Sequence, residues 1–445
     1  MIKKIRGADR LIGEIEMPGD KSISHRALMC GAIAAGRTTI LGVADCEDCA
    51  RTEAAFRAMG VRISRKSGRV LVEGRGLRGL TAPKAPISAV ESGTTMRLLA
   101  GILAGQRFGS VLTGDPALLR RPMERVVEPL ARMGAVISTA RGGRAPLMIR
   151  PGEISPIDYR MKVASAQVKS ALLFAGLYAR GRTTVEEPSR SRDNTERMLK
   201  YFGARIGTKG LNVSVYGGGE LVGKRVEVPG DISSASFFIV AATMLEGSRI
   251  RIKRVGLNPS RAGILKVLSR MGARYRITDR VDAFEPYGDI EVTSAKTHGV
   301  VIGAGEIPSI IDELPVLFVL ASVSAGRTVI SGAGELRVKE TDRIASMGEN
   351  IAKMGGRVGV SAGRIVIEGS QGSQGSQSSQ SSQSSQGLRA ARMRSFGDHR
   401  TAMSMAVAAL FAGGTSEIEG AECVGKSFQG FFTALDSLAR RGAGR

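Results

Sequence analysis

The sequence predicts an α/β fold of two domains built from six copies of one supersecondary unit, because two local patterns alternate along its 445 residues. The first pattern is a polar, turn-prone start, a helix of small apolar residues, and a glycine with Thr or Ser close behind. Its six copies end at Gly36, Gly105, Gly181, Gly247, Gly326 and Gly413. These glycines lie roughly 66 to 87 residues apart, which indicates a repeated structural unit.

The second pattern is a glycine that closes a helical stretch before a short strand pattern. It occurs at Gly60, Gly134, Gly203, Gly272 and Gly355, each preceded by Met or Phe, and Gly442 resembles a truncated sixth copy. Glycine is favoured there because a positive φ at a helix C-terminus costs it little. Each unit is therefore predicted to run helix, strand, helix, strand, with extra strands between. A chain of this length is expected to form two domains.

The six predicted helix starts are polar. In chain order they are 19–26, 91–95, 165–167, 229–234, 311–313 and 397–400. Each helix N-terminus presents unpaired backbone N–H groups and about half a positive charge. Six such ends that converge would form a large anion site, so the sequence predicts a substrate rich in phosphate and carboxylate.

Several starts carry side chains that suit an anion. Lys21, Ser22 and Arg26 lie within about one and a half turns, so they can surround one oxyanion from several sides. The helix dipole disfavours cations at this end, which favours a binding site over an exposed basic turn. The start Ser165–Lys169 offers a hydroxyl, an amide and an amine, and Gly93–Thr95 offers bare backbone N–H groups.

Carboxylates precede two further predicted helices. Asp231, Asp312 and Glu313 could each act as an N-cap, and for Asp231 that is the favoured interpretation. The segment Arg337–Arg343 mixes Lys, Arg and carboxylate side chains. By itself it is typical of a solvated charge run, and it gains meaning only as part of a set.

The formal net charge of +23 alone would indicate nucleic acid or an acidic surface as a partner. The chain has no Trp, its aromatic content is 4%, and it contains no stacking motif or zinc finger. Its basic residues are also spread along the whole chain. We therefore expect a solvated surface with one anion-binding pocket, nonspecific polyanion binding at low salt, and no specific nucleic-acid partner.

The longest apolar stretches, 237–245 and 314–321, are well short of the roughly 20 residues of a membrane span. The N-terminus lacks the apolar core of a signal peptide, so we expect a cytoplasmic protein without a membrane partner.

Cys46 and Cys49 have the spacing of a redox dithiol or of half a zinc site, but no second Cys or His pair accompanies them. With three histidines in the chain, we expect no metal site.

Residues 369–386 are three Gly-Ser-Gln triplets followed by three Ser-Ser-Gln triplets. They contain no apolar residue to bury, which predicts a disordered insert. The flanking segments Arg364–Glu368 and Gly387–Leu388 are interpreted as a hairpin that accepts the insert at its tip.

The glycine-rich stretch Gly74–Gly79 matches a dinucleotide fingerprint, but prolines follow it where the helix should start, so we reject a dinucleotide cofactor.

Together the polar segments resemble, in order, the motifs of the 5-enolpyruvylshikimate-3-phosphate synthase family. They are Gly19–Arg26, Ser92–Arg97, Arg121–Met123, Ser165–Gln167, Pro229–Ala235, Arg337–Arg343 and Asp398–Arg400. The resemblance covers the whole chain except the Gly/Ser/Gln insert. It implies two inside-out, barrel-like α/β domains, each of three βαβαββ-type units. The implied first domain is 21–227, and the second combines 1–20 with 228–445, with a substrate cleft that closes on binding.

The resemblance also implies a reaction. The enolpyruvyl group of phosphoenolpyruvate is transferred to the 5-hydroxyl of shikimate-3-phosphate, and phosphate is released, in the shikimate pathway of aromatic amino-acid biosynthesis. The reaction proceeds by addition and elimination through a tetrahedral intermediate. No metal or organic cofactor is implied, and the family suggests a monomer that the inhibitor glyphosate binds.

The residues that match the family motifs have implied roles. Lys21, Asp312 and Glu340 would be catalytic, with Lys21 as a proton shuttle, Asp312 as the base at the 5-hydroxyl and Glu340 as the acid at the methylene carbon. Shikimate-3-phosphate would be bound by Lys21, Ser22, Arg26, Ser165, Gln167, Asp312 and Lys339. Phosphoenolpyruvate would be bound by Lys21, Gly93, Arg121, Gln167, Arg343, Arg400 and Lys426.

Two departures and two alternatives accompany the resemblance. Glu91 stands where many members have Asn, and Ala166 replaces a Ser of one branch. A sister family with the same fold transfers enolpyruvate to UDP-N-acetylglucosamine. Its signature has Lys-Asn near the N-terminus and a reactive loop Cys, whereas here Ser22 follows Lys21 and the loop 114–120 contains no Cys. A polyanion-binding protein on a retired transferase scaffold is the alternative that the net charge suggests.

Overall fold

A computed structural model describes residues 1–370 and 387–442 and divides into two compact units. The N-terminal unit contains Pro18–Pro229 and Ala283–Glu285. The C-terminal unit contains Met1–Met17, Gly230–Asp282 and the described residues from Pro286 onward. Each unit has its own apolar core.

The chain begins with two strands of the C-terminal unit, β1 (Ile2–Arg6) and β2 (Arg10–Glu16). The N-terminal unit then forms three copies of one motif. The first copy contains α1 (Lys21–Ile33), β3 (Ala35–Leu41), α2 (Glu47–Ala58), β4 (Arg62–Lys66) and β5 (Arg69–Arg75). The second contains β6 (Ile87–Ser88), α3 (Gly93–Ala104), β7 (Ser110–Thr113), α4 (Pro116–Leu119), α5 (Glu124–Arg132), β8 (Val136–Ala140) and β9 (Arg144–Arg150). The third contains β10 (Asp158–Arg160), α6 (Ala166–Gly176), β11 (Arg182–Glu186), α7 (Asn194–Tyr201), β12 (Arg205–Lys209) and β13 (Asn212–Tyr216), and β14 (Arg225–Glu227) follows.

The C-terminal unit continues with three more copies. The fourth contains α8 (Ile232–Met244), β15 (Arg249–Gly256), α9 (Gly263–Arg270), β16 (Arg274–Val281) and β17 (Tyr287–Thr293). The fifth contains β18 (Val301–Ile302), α10 (Ile307–Ile310), α11 (Leu314–Val323), β19 (Arg327–Ser331), a 3-10 helix (Gly334–Val338), α12 (Arg343–Lys353), β20 (Arg357–Ser361) and β21 (Arg364–Glu368). The sixth contains β22 (Arg392–Arg394), α13 (His399–Phe411), β23 (Thr415–Glu419), a 3-10 helix (Ala421–Lys426), α14 (Phe431–Leu438) and β24 (Ala439–Arg440).

Each copy forms one sheet, and the first five sheets share one four-strand order, to which the fourth sheet adds β24, whereas the sixth sheet has three strands in the part of the chain that the structure describes. The sheets are β14-β3-β5-β4, β6-β7-β9-β8, β10-β11-β13-β12, β16-β17-β15-β2-β24, β18-β19-β21-β20 and β1-β23-β22. In every sheet a parallel pair, such as β6 with β7, continues into an antiparallel neighbour, such as β9. The first and fourth copies take their parallel partner strands from β14 and β2, and β1 completes the sixth sheet. The predicted sixfold repeat is confirmed.

The first long helix of each copy is buried around most of its circumference. These helices are α1, α3 and α6 in the N-terminal unit and α8, α11 and α13 in the C-terminal unit. Within each unit they pack against one another, and strands with one buried face cover them. Helices inside and sheets outside give the inside-out α/β architecture that the resemblance implies.

The predicted helix starts are also confirmed. The side chains of Asp20, Ser92, Ser165, Asp231 and Asp398 each accept a hydrogen bond from the backbone at the start of their helix. The start of α11 differs, because its N-cap residue makes no such bond. At the other helix ends, Gly60, Gly134, Gly203, Gly272 and Gly355 have positive φ, as the second pattern predicts.

Two local predictions are wrong. The insert does not join the strands of a hairpin, because β21 is paired on both sides by β19 and β20, whereas β22 belongs to the sheet of β23. Gly442 is not a sixth helix-closing glycine, because α14 ends at Leu438 and the chain enters β24 directly. Gly369 and Ser370 donate backbone hydrogen bonds to Gly326 and Ser322, and 371–386 of the predicted insert lie outside the described residues.

Across residues 1–370 and 387–442, no helix combines the length and apolar character that crossing a membrane requires. In the same part of the chain, no three His, Cys, Asp or Glu side chains are grouped so that they could hold a metal ion.

Candidate active site

The start of α1 carries an ion pair. Lys21 Nζ lies 2.9 Å from Oδ2 of Asp48, and the two side chains are 20% and 17% exposed. Asp48 lies in the first turn of α2, which packs against α1. The pairing holds the Lys21 ammonium at the start of a helix, where the dipole would otherwise repel it.

Arg26 lies one turn further along α1 and is almost completely buried. Its Nε donates to Thr195 Oγ1 at 2.5 Å, and its two Nη atoms donate to Ser170 Oγ and to the Ser22 carbonyl, each at 2.9 Å. Burial lowers the pKa of Arg26, and the nearby Glu196 carboxylate opposes that shift. The guanidinium is therefore fixed in position by three elements, α1, α6 and α7, as expected of a cation that must recognise one anion geometry.

The start of α6 is linked to the start of α3. Ser165 Oγ caps α6 and accepts from Val168 N at 3.4 Å. Gln167 Oε1 accepts from Arg97 Nη1 at 2.6 Å, and Gln167 Nε2 donates to Thr94 Oγ1 at 3.0 Å. The amide is therefore oriented by partners on α3, with its oxygen toward a cation.

Gly93, the first residue of α3, leaves room for two guanidinium groups. A Cβ added at Gly93 would lie 3.0 Å from Nη1 of Arg121 and 3.2 Å from Nη1 of Arg97. The position thus combines bare backbone N–H groups at a helix start with two nearby cations, which suits a small dianion.

The structure contradicts one part of the sequence interpretation. The Lys169 amine does not join the polar groups at the start of α6, because its Nζ is buried 2.8 Å from Glu187 Oε2 and 2.6 Å from Glu196 Oε1. Burial raises the pKa of Glu196, and Lys169 acts against that shift. A buried ammonium needs carboxylate partners, and here Glu187 lies directly after β11 and Glu196 lies in α7.

In the C-terminal unit, Arg343 is the centre of an ion cluster. Its Nε lies 2.7 Å from Asp398 Oδ2, its Nη2 lies 2.6 Å from Glu340 Oε2, and its Nη1 lies 3.3 Å from Asp312 Oδ1. Burial alone would lower the pKa of Arg343, but these three carboxylates raise it above its ordinary value. The segment Arg337–Arg343 is therefore more than a solvated charge run, since its last residue is buried at the start of α12.

Asp312 joins a second arginine to the cluster. Arg400 Nε lies 3.6 Å from Asp312 Oδ1, and Arg400 Nη1 donates to the Asp312 carbonyl at 2.9 Å. The alternative that Asp312 caps α11 is not supported, because this side chain faces the two arginines. Lys426 Nζ donates to the Gly397 carbonyl at 3.2 Å, and Lys339 is half-buried at the end of the 3-10 helix before Glu340.

A separate buried cluster lies at the start of α8. Arg261 donates to Glu313 Oε1 at 2.9 Å, to Asp231 Oδ1 at 3.2 Å and to Ser233 Oγ at 2.6 Å. Asp231 also caps α8, as the sequence predicts, whereas Glu313 is fully buried and does not cap α11. Sequence reasoning missed Arg261, whose local sequence gives no sign of its two carboxylate partners.

Within each unit the structure places the predicted residues at the same few helix starts. In the N-terminal unit, hydrogen bonds connect Arg26 with α6 and Gln167 with α3. In the C-terminal unit, one ion cluster contains Asp312, Glu340, Arg343 and Arg400. Besides Arg261, sequence reasoning missed the partners Asp48, Arg97, Ser170, Glu187, Thr195 and Glu196. Of these, Arg97 alone lies within one of the family motifs.

The chain is similar over nearly its full length to proteins of one family. The sequence model of the EPSP synthase (3-phosphoshikimate 1-carboxyvinyltransferase) family matches residues 5–435. A 3-phosphoshikimate 1-carboxyvinyltransferase of Geobacter metallireducens is 48% identical over 439 residues, which cover 98% of this chain and 99% of that protein. The corresponding protein of Alkalilimnicola ehrlichii is 48% identical over 430 residues, 96% of this chain and 93% of its own.

Among solved structures, an EPSP synthase from Acinetobacter baumannii is 42% identical and superposes with a TM-score of 0.86. The match covers 99% of this chain and 98% of that one. Fold, motifs and full-length similarity therefore agree, and the chain belongs to the EPSP synthase (3-phosphoshikimate 1-carboxyvinyltransferase) family.

Proposed function

We propose that this chain transfers the enolpyruvyl group of phosphoenolpyruvate to the 5-hydroxyl of shikimate-3-phosphate and releases phosphate, as a step of aromatic amino-acid biosynthesis. The observation that carries the proposal is the Arg343 cluster, in which one buried guanidinium touches Asp312, Glu340 and Asp398. Its arginine and carboxylates are the groups that the family's reaction needs: a cation for an anionic substrate, a base and an acid. Full-length family membership supports the same activity.

The charges of the two substrates fit the two sets of residues. Each substrate carries a phosphate and a carboxylate, and such anions prefer helix N-termini and guanidinium groups. In the N-terminal unit we assign shikimate-3-phosphate to Lys21, Ser22, Arg26, Ser165 and Gln167, and phosphoenolpyruvate to Lys21, Gly93, Arg121 and Gln167. In the C-terminal unit we assign shikimate-3-phosphate to Asp312 and Lys339, and phosphoenolpyruvate to Arg343, Arg400 and Lys426.

The chemistry requires one acid and one base. Glu340 gives a proton to the methylene carbon of phosphoenolpyruvate, so that C2 becomes cationic, and Lys21 shuttles protons. Asp312 takes the proton of the 5-hydroxyl as its oxygen attacks C2, which forms the tetrahedral intermediate. Elimination then returns a proton from the new methyl group to the Glu340 carboxylate and expels phosphate. The scheme needs no metal and no organic cofactor.

Arg343 couples substrate binding to this proton transfer. Glu340 is paired with Arg343 at 2.6 Å. The carboxylate of phosphoenolpyruvate, by binding Arg343, competes with Glu340 for the same guanidinium. We expect this competition to favour uptake of the proton that Glu340 delivers. Substrate binding thereby prepares the acid.

We further propose that the protein acts as a cytoplasmic monomer. Its first domain would be 21–227, and its second would combine 1–20 with 228–445. Glyphosate would compete with phosphoenolpyruvate near Gly93. We attribute the net charge of +23 to basic residues on the solvated surface and to those that bind the substrate anions. Nucleic-acid binding that persists above roughly 0.2 M salt would instead favour a polyanion-binding role.

The experiment is phosphate release from phosphoenolpyruvate with shikimate-3-phosphate or UDP-N-acetylglucosamine as the acceptor. We expect release with shikimate-3-phosphate alone and its loss in Asp312→Ala. The matched control is Asp282→Ala, because Asp282 is an exposed aspartate that pairs with Arg280 at the surface. Release with UDP-N-acetylglucosamine alone would assign the sister activity, and release with neither acceptor would contradict both.

A further inference from the structure

The first turn of α2 carries two thiols that the proposed reaction does not use. Cys46 is the N-cap residue, with extended backbone angles of φ −146° and ψ 157°, and Cys49 is the third residue of the helix. Cys46 is 7% exposed, Cys49 is fully buried, and both are free thiols. Cys46 lies just before the helix and Cys49 lies in its first turn, and the two side chains are hydrogen-bonded to each other. The thiols are therefore in contact, and a small movement at the start of α2 would bring their Cβ atoms to the roughly 3.5–4.5 Å that a disulfide needs.

The surroundings of the two thiols shift their pKa values in opposite directions. Hydrogen bonding with the Cys49 side chain lowers the pKa of Cys46, and the Lys21 charge acts in the same direction, although burial opposes them. The same interaction and burial raise the pKa of Cys49 well above its usual range. A thiol with a lowered pKa and some exposure is the nucleophile, and a buried neighbour with a raised pKa is the resolving thiol.

Asp48 lies between the two thiols in the sequence and connects them to the candidate active site. Its Oδ2 holds Lys21 Nζ at 2.9 Å, and its carbonyl accepts from Thr95 Oγ1 at 3.5 Å. Cys49 Sγ also lies 3.9 Å from the carbonyl oxygen of Lys21. A change in the first turn of α2 therefore acts directly on the position of the Lys21 side chain.

We propose that Cys46 and Cys49 are a peroxide-sensitive dithiol, and that its disulfide lowers the transferase activity by moving Asp48 away from Lys21. The second half of this proposal rests on the proposed function of Lys21. The Cys46 thiolate attacks one oxygen of hydrogen peroxide, which gives a sulfenic acid and hydroxide. The Cys49 sulfur, which loses its proton, then attacks the Cys46 sulfur and expels water. Overall, two thiols and one hydrogen peroxide give one disulfide and two waters.

The remaining cysteines provide an internal reference. Cys30 is fully buried in α1, and burial raises its pKa above the usual range. Burial raises the pKa of Cys423 to about 11. Neither has a second thiol three residues away. Both are therefore expected to react with peroxide much more slowly than Cys46.

The test treats the reduced full-length protein with hydrogen peroxide and measures its intact mass. We expect a loss of two hydrogens, about 2 Da, that dithiothreitol reverses and that Cys46→Ser abolishes. Cys49→Ala should instead gain one oxygen at Cys46, and dimedone should trap this sulfenic acid. An unchanged mass in the wild-type protein, or a loss that persists in Cys46→Ser, would overturn the dithiol.

The activity of the same samples tests the coupling to Lys21. We expect oxidation to lower the rate with phosphoenolpyruvate and shikimate-3-phosphate by about tenfold or more, because small displacements of catalytic groups are costly. Dithiothreitol should restore the rate, and Cys46→Ser should keep it. Complete disulfide formation without a rate change would overturn the coupling. If the reduced protein lacks transferase activity, the proposed function fails, whereas the mass measurement still decides the dithiol.

Discussion

Arg343 donates from Nε to Oδ2 of Asp398 at 2.7 Å, and both side chains are almost completely removed from solvent. Asp398 also accepts from the backbone N–H groups of Arg400 and Thr401, so the same carboxylate caps α13. One side chain therefore fixes both the start of a helix and the orientation of the central cation in the cluster.

We predict that Asp398→Asn lowers the free energy of unfolding by about 3 kcal/mol, because it removes one buried carboxylate from Arg343. Asparagine retains an oxygen for the cap, so the loss reports the charge rather than the helix end. Urea denaturation of the two proteins measures the difference.

The matched control is Asp342→Asn. Asp342 also caps its helix, α12, but its ion pair with Arg337 is largely exposed. Because exposed pairs contribute little, we expect this substitution to cost less than about 1 kcal/mol. Equal losses at Asp342 and Asp398 would show that the caps, rather than the buried charge, dominate.

Much of the fold could be predicted from the sequence, because its signals are local. Polar starts such as Asp20 and Ser92 cap helices that follow them directly, and Gly60 or Gly134 close helices at positive φ. Neighbouring residues determine both features, so one chain carries enough information to place them. The sixfold spacing then fixed the number of units.

Long-range pairings were beyond the same reasoning. The sequence predicts that Lys169 joins the polar start of α6, but Glu187 and Glu196 bind it inside the unit. The sequence predicts a hairpin that returns to β21 after the insert, yet the strand that follows, β22, joins the sheet of β23. Such partners are chosen by packing between elements that are far apart in the chain, which local propensity does not encode.

The position of Gly93 predicts a selective effect on an inhibitor. We expect Gly93→Ala to weaken glyphosate inhibition more than phosphoenolpyruvate binding, because the added methyl group would lie 3.0 Å from Arg121 Nη1 and 3.2 Å from Arg97 Nη1. Both neighbours are ends of flexible side chains, so the fold should tolerate the change. The inhibition constant and the KM for phosphoenolpyruvate are compared in one assay.

Gly207→Ala serves as the control for Gly93→Ala, because a Cβ at Gly207 has no neighbour within 4 Å and its backbone needs no positive φ. Both constants should stay unchanged in that variant. Equal increases of the two constants in Gly93→Ala would refute selective crowding of glyphosate.

A substitution at Glu196 is expected to change the KM for one substrate more than the KM for the other. Glu196 follows Thr195, whose Oγ1 holds Arg26 Nε, and its carboxylate lies close enough to affect the pKa of Arg26. We expect Glu196→Gln to raise the KM for shikimate-3-phosphate about three- to tenfold, with a smaller change for phosphoenolpyruvate, as expected from weakening one charged contact. Glu186→Gln is the control, because Glu186 pairs with Arg160 at the surface. A uniform loss of kcat would contradict a positioning role.

The buried His25 side chain is expected to make the free energy of unfolding depend on pH. Burial lowers the pKa of His25 from 6.5 to about 3, and its Nδ1 lies 2.7 Å from Thr52 Oγ1. The unfolded chain therefore binds a proton below about pH 6.5 that the folded protein does not. The contribution of His25 is fully present above that pH, and it is lost as the pH falls toward 3, at up to about 1.4 kcal/mol per pH unit.

We therefore expect His25→Gln to reduce the fall in unfolding free energy between about pH 6.5 and pH 5, where most carboxylates stay ionised in both states. Urea denaturation at several pH values measures the slope for each protein. The matched control is His298→Gln, because His298 is exposed and lies outside the α1 packing. That variant should keep the wild-type slope. If His25→Gln also keeps it, the buried histidine does not cause the acid sensitivity.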